Sequence, residues 1–87
     1  MAAHYTVELS RGAAKTLKAL ERKMQIRVLA RLQELANNPR PRDAKKLHGE
    51  ESVYRVREGD YRILYEIFDN YLLIHVLKIG HRREVYR

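Results

Sequence analysis

The sequence contains no cysteine, which excludes disulfide bridges and thiolate metal ligands and agrees with a reducing, cytoplasmic setting. No apolar run approaches the roughly 18 residues that a membrane helix needs. The N-terminus also lacks a signal-peptide apolar region, so an unprocessed chain with no membrane partner is expected. The four histidines, His4, His48, His75 and His81, have no ligand-like spacing, and no acidic cluster suggests a magnesium cage. Neither a metal nor any other cofactor is expected. A Ser/His/Asp arrangement, a Gly-rich phosphate loop, an internal repeat, a linker and a low-complexity tract are all missing as well.

What is present is a short, basic, foldable chain. Its 87 residues are 45% hydrophobic and 33% charged, a folded rather than disordered balance that fits one small domain over residues 1–87. Eighteen Lys and Arg against eleven Asp and Glu give a formal net charge of +7. That excess concentrates anions at the surface, and nucleic acid is the commonest anionic partner. An acidic protein partner is equally compatible with the charge.

Along the chain, His4 to Leu9 alternates as a first strand. Ser10 is a helix N-cap, followed by a helix to about Leu20 with Ala13, Leu17 and Leu20 as its inner stripe. After a break near Glu21 to Lys23, Met24, Val28, Leu32 and Leu35, joined by Leu29 and Ala36, mark a longer amphipathic helix. Arg27, Arg31 and Glu34 are expected to face outward. Asn37-Asn38-Pro39 ends that helix, because proline disfavours helical geometry in the residue before it. Residues 39–51 form a polar, basic loop anchored by Leu47 and turned at Gly49. Its Arg40, Arg42, Lys45 and Lys46 could reach phosphates or be simply solvated.

The last third, VYRVREGDYRILYEIFDNYLLIHVLKIGHRREVYR, organises the rest. Three strand-like runs are separated by turn signals at Gly59-Asp60 and Asp69-Asn70 and followed by a basic-aromatic tail. Arg55 and Arg57 alternate with Tyr54 and Val56 and so share a face. A two-residue hairpin at Gly59-Asp60 pairs Glu58 with Tyr61, Arg57 with Arg62, Val56 with Ile63 and Tyr54 with Tyr65, keeping the apolar partners together. A similar turn at Asp69-Asn70 pairs Phe68 with Tyr71. It sets Leu72, Ile74 and Val76 beside Ile63, Tyr65 and Ile67 on the helix side. Leu73, His75 and Leu77 then lie beside Leu64 and Arg62 on a shallow second face with an apolar floor and arginine walls. The nearly continuous apolar run from Tyr71 to Ile79 suggests a central strand covered on both faces.

Arg57 opposite Arg62 is a destabilising like-charge pair. A fold that keeps it, with Arg55 alongside, is either presenting a solvated face or holding cations for a polyanion. Arg55, Arg57, Arg62, His81, Arg82, Arg83 and Tyr86 suit phosphoryl transfer in RNA, with the neighbouring 2′-hydroxyl as internal nucleophile. Fixed guanidinium groups stabilise the extra charge of the transition state. Arginine is a poor general base, so Tyr86 and His81 are the candidates for moving protons. Tyr86 could instead stack on a base or pack on the sheet, and His81 could be an incidental surface histidine.

The arrangement YRVREGDYRILYEI, a buried strand, then KIGHRREVYR resembles the RelE branch of the RelE/ParE toxin superfamily across essentially the whole chain, Leu47-His48-Gly49 included. The resemblance implies an α+β fold, a small four-stranded, mainly antiparallel sheet packed against two N-terminal helices in the order β-α-α-β-β-β. It further implies the toxin of a type II toxin–antitoxin system, a ribosome-dependent, metal-independent endonuclease that cuts messenger RNA in the A site. The implied partners are a cognate antitoxin, mRNA and ribosomal RNA on the ribosome, and operator DNA only as the toxin–antitoxin complex. Carried over by position, Arg55 and Arg57 match two basic strand residues that are lysines in the best-known pattern. Arg62 and Arg82 match phosphate-stabilising arginines, and Tyr86 matches a C-terminal tyrosine that handles the nucleophile's proton or orients the base. His81 stands where a basic residue is common, and Arg83, Lys45 and Lys46 are further RNA-binding candidates. Arginine at 55 and 57 keeps the charge but donates protons less readily than lysine. The chain also stops one residue after Tyr86, where many relatives continue into another helix. The alternatives are a ParE-like toxin that inhibits gyrase without cutting RNA, and a decayed member serving as an antitoxin-binding corepressor.

Overall fold

In the computed structural model the described residues are 4–47, 49 and 52–81. They form strand β1 (Thr6–Leu9), helices α1 (Arg11–Ala19) and α2 (Arg22–Asn37), and strands β2 (Lys45–Lys46), β3 (Val53–Glu58), β4 (Tyr61–Phe68) and β5 (Leu73–His81). The sheet runs β1-β5-β4-β3-β2, with β1 parallel to β5 and the other pairs antiparallel. The expected α+β class and element order hold. The sheet has five strands rather than four, because Lys45 and Lys46 leave the loop to pair with Arg55 and Tyr54 at its edge.

Helix α1 starts where Ser10 caps it, its side chain accepting the Ala13 N–H at 3.0 Å. The chain then leaves helical geometry at Leu20 and re-enters it after Glu21. Val28, Leu32 and Leu35 of α2 are buried in one cluster with Val56, Ile63, Tyr65, Ile67, Ile74, Val76 and Ile79 of the sheet, and Ala36 is buried as well. Burying such side chains stabilises by roughly 1.5–3 kcal/mol each, so this single face carries most of the fold's stability. Leu29 departs from the expected stripe and is 45% exposed. Arg31 departs the other way. Its side chain is only 13% exposed, ion-paired with Asp43 and bonded to Glu34 at 3.3 Å, so it staples the basic loop to α2. Leu47 stands outside the core cluster.

The first hairpin has the expected register throughout, Glu58 opposite Tyr61, Arg57 opposite Arg62, Val56 opposite Ile63 and Tyr54 opposite Tyr65. Gly59 has φ +61°, so the backbone conformation of the turn calls for glycine; the nearest atom to a Cβ there would be the mobile Met24 methyl, at 2.9 Å. The second turn differs from expectation. Asp69–Tyr71 forms one 3-10 turn, Leu72 takes a left-handed conformation (φ 49°, ψ 50°), and Phe68 pairs with Leu73 rather than Tyr71. The cause is a side-chain cluster on Asp69. Its carboxylate accepts the Tyr5 hydroxyl at 2.6 Å and both Arg40 guanidinium nitrogens, at 3.3 and 2.8 Å. Ile74 and Val76 still reach the core, because a shift of two residues preserves the face, whereas Leu72 is exposed.

Strand β5 also contains a bulge. Leu64 pairs with Lys78 but Tyr65 pairs with Val76, leaving Leu77 without a partner on β4. On the other, β1 side of β5, Ser10 continues the parallel ladder with its N–H donating to the Val76 carbonyl at 2.9 Å, and its hydroxyl donates to the Leu77 carbonyl at 2.9 Å. The bulge reverses the side-chain alternation, so Ile79 instead of Lys78 enters the core, 2% exposed. The second face of β5 is half-exposed at Leu73, His75 and Leu77, not covered as expected.

Two outcomes follow from these contacts. Ser10→Ala removes a helix cap and leaves the bulge carbonyl without its donor, so urea denaturation should show a loss of about 1–2 kcal/mol. Ser10→Thr should keep most of it. The second concerns pH. Arg40, and then Tyr5, hold the Asp69 carboxyl below its ordinary 3.8, while the bond to Asp69 pushes the Tyr5 hydroxyl above its ordinary 10.0. The Asp69 contribution is therefore present above 3.8 and lost as pH falls through the lowered folded value. The Tyr5 contribution is present below 10.0 and lost as pH rises through the raised one. Thermal melts of Asp69→Asn should show a weaker dependence on both the acid and the alkaline flank than the wild type.

Candidate functional site

The sheet face turned away from the helices is built in rows, because partners across an antiparallel ladder point the same way. Arg57, Arg62 and Gly80 make one row, and Lys45, Arg55, Leu64 and Lys78 make the next. The row after that carries Glu66, His75 and Glu8, with Glu66 accepting the Ser52 hydroxyl at 3.2 Å. The face thus passes from two cationic rows to one with two carboxylates. Rows on one face are two residues, about 6.7 Å, apart along the strands.

Arg55 and Arg62 are 8% and 6% exposed, deeper than the half-buried Leu64 between them. The expected apolar floor with arginine walls is therefore not found, since two of the arginines are buried more deeply than Leu64. Arg57 is exposed at the rim. Arg55, Arg62, Lys78 and His81 each have an interaction partner, as buried or clustered charges require. At Gly80, which is buried, the row ends without a side chain.

The sequence candidates divide by face. Arg55, Arg57, Arg62 and Lys45 come together. Lys46 pairs with Tyr54 and projects to the helix side. His81 also lies there, opposite Tyr61 and edge-on to its ring at 5.8 Å, so it does not join the arginines. The reason is again the Leu77 bulge, which sets the parity of every residue after it. Arg40 is on the helix side as well, over the Tyr54 ring at 5.4 Å and bonded to the Tyr54 hydroxyl at 3.2 Å. Its bond to Asp69 is the main reason its guanidinium is held more firmly protonated than usual. Arg82, Arg83 and Tyr86 lie outside the described residues, as does His48.

Lys78 is the basic residue that sequence reasoning passed over. A signal was available: in Ile74-His75-Val76-Leu77-Lys78-Ile79 strict alternation assigns Lys78 to the core, and only an extra residue lets Ile79 replace it. A concavity of about 720 Å³ lies elsewhere, lined by Tyr5, Val7, Leu9, Leu29, Leu32 and Ala36 between β1 and α2. Among the described residues no group of His, Asp or Glu is placed to hold a metal ion, and no helix is long and apolar enough to cross a membrane.

Comparison with known proteins agrees with this architecture. Residues 7–86 match the family model for the ParE toxin of the type II toxin–antitoxin system. The chain is 32% identical over 88 residues to toxin RelG of Mycobacterium tuberculosis, covering 95% of this chain and 97% of that protein. The RelE–RelB complex of Pyrococcus horikoshii contains a chain that superposes with a TM-score of 0.82 at 31% identity, over 94% of this chain and 99% of that one. Isolated RelE of Escherichia coli superposes with a TM-score of 0.80 at 25% identity, over 97% and 92%. With the sheet order, the helical pair and the arginine face in place, the chain belongs to the RelE/ParE superfamily of type II toxin–antitoxin toxins, on its RelE-type branch.

Proposed function

We propose that this toxin is a ribosome-dependent endoribonuclease that cuts messenger RNA in the A site. The observation that carries this reading is the convergence of Arg55, Arg57 and Arg62 from two strands on one face. A like-charge pair directly across a ladder costs stability, and a phosphate seated between the two guanidinium groups reverses that cost. In the reaction the 2′-oxygen attacks the adjacent phosphorus and the bond to the 5′-oxygen breaks. The products are a 2′,3′-cyclic phosphate and a 5′-hydroxyl. One proton leaves the 2′-hydroxyl and one reaches the departing 5′-oxygen. The arginines take the charge that builds on the non-bridging oxygens, which needs fixed cations but no metal. Tyr86 is the candidate for the proton transfers, with Arg82 as a further phosphate contact and Arg83 along the RNA. His81, turned to Tyr61, has no part in the chemistry.

The solved relatives include a RelE–RelB complex, which supports a cognate antitoxin as the partner that silences this chain; in this reading operator DNA is bound only by the toxin–antitoxin complex. A net charge of +7 favours an acidic antitoxin segment and a salt-sensitive encounter. The gyrase-inhibiting reading keeps one specific support, the ParE name of the family model. Primer extension on mRNA after induction separates the two, since only the nuclease leaves discrete, codon-spaced breaks.

Arg62→Ala should lower cleavage on programmed ribosomes by about 10²–10³-fold with its fold retained by circular dichroism, and Arg62→Lys should restore only part of it. Full toxicity of Arg62→Ala would remove the nuclease reading. Arg57→Gln should reduce cleavage while raising stability by roughly a few tenths of a kcal/mol, because it relieves the cross-strand repulsion.

A further inference from the structure

We infer that Lys78 is a second phosphate-binding residue, gripping together with Arg55 and Lys45 the RNA phosphate next to the one held by Arg57 and Arg62. The inference rests on the nuclease reading and adds to it a substrate contact that alternation along β5 would assign to the core. Four observations carry it. The bulge at Leu77 turns Lys78 onto the arginine face, where it pairs with Leu64 in the row of Arg55 and Lys45. Lys78 is exposed, and it keeps an interaction partner within the chain. The backbone positions of Arg55 and Lys78 are two strand spacings, about 10 Å, apart. Only the half-buried Leu64 lies between them, and two long cationic side chains can close on one phosphate over it. Finally, this row stands about 6.7 Å from the Arg57–Arg62 row, a step comparable with one nucleotide of an extended RNA backbone.

The next row limits the track. Glu66 and Glu8 repel a third phosphate, so the face seats two consecutive phosphates and the strand must leave it there. Lysine suits the outer position, since it acts as a point charge that tolerates a range of phosphate orientations. The paired arginines can instead make the directional, bidentate contacts that the reacting phosphate needs.

The test is equilibrium binding of a fluorescent 2′-O-methyl oligouridine, which cannot be cut, measured by anisotropy across a salt series. Lys18 on α1 is exposed and off this face, so Lys18→Gln controls for net charge. Lys78→Gln should reduce the slope of log K against log salt by about 0.7, the loss of one phosphate contact on a single strand. Lys78→Arg should restore it, and Lys18→Gln should keep the wild-type slope. On programmed ribosomes Lys78→Gln should raise KM several-fold with kcat retained, in contrast to Arg62→Ala. A slope unchanged in Lys78→Gln, or no salt-dependent binding by the wild-type chain, overturns the inference. Loss of the slope in Lys78→Gln from a wild type that makes no mRNA breaks would sink the nuclease reading and leave the phosphate contact standing.

Discussion

The two hydrogen bonds from Ser10 to the carbonyls of Val76 and Leu77 are the constraint on which the molecule's sidedness depends. A bulge leaves a backbone carbonyl without a ladder partner, and burying it unpaired would cost about 1–3 kcal/mol. Ser10 removes that cost while also capping α1, so the start of the helix and the kink of the strand are one structural event. Everything after Leu77 on β5 is assigned to its face by that event. Ile79 goes to the core, Lys78 and Gly80 to the arginine face, and His81 to Tyr61. A regular strand would put an ammonium among Val28, Leu32 and Ile63, which no partner there could compensate.

A second constraint works at the opposite end of the sheet. Asp69 gathers Tyr5 from the start of the chain and Arg40 from the basic loop, and so ties β1, the loop and the β4–β5 turn to one carboxylate. Tyr65, whose hydroxyl donates to the Pro39 carbonyl at 2.6 Å, holds the same loop from beneath. Burial raises that hydroxyl well above the ordinary tyrosine range, so it stays a donor at any physiological pH. These contacts commit Arg40 to structure and leave Lys45 as the loop cation on the open face. Two groups of arginines in one small chain therefore sit in opposite surroundings. Arg40 and Arg31 meet carboxylates, whereas Arg57 meets another arginine across the ladder.

That contrast bears on function. Under the proposed function, cations gathered on one face oppose folding and favour binding a polyanion, so the same residues would lower stability and raise affinity. The burial of Arg55 and Arg62 sharpens the effect, since groups largely withdrawn from water interact more strongly with a bound phosphate than exposed ones do. An acidic antitoxin segment would benefit from the same field, which gives a type II toxin a physical reason to be held silent by a partner of opposite charge.

The first hairpin was legible in the sequence because its information is local. Gly59 supplies the left-handed turn residue, and the alternation of Tyr54, Arg55, Val56 and Arg57 leaves one register that keeps the apolar side chains together. Ser10, the two helices and the Asn37-Asn38-Pro39 stop could be read for the same reason, as could Arg55, Arg57 and Arg62 sharing a face. The second turn, the edge strand at Lys45–Lys46, the inward Arg31 and the face of His81 could not. Each depends on a partner distant in sequence: Tyr5 and Arg40 on Asp69, Arg55 beside Lys45, Asp43 against Arg31, Ser10 beneath Leu77. The sequence by itself determined which residues alternate and where the chain turns, since turns and periodicity are set by neighbours. Tertiary structure alone decided on which side β5 presents Lys78, because one unpaired residue reverses a period of two, and only a donor from the other end of the chain makes that reversal stable.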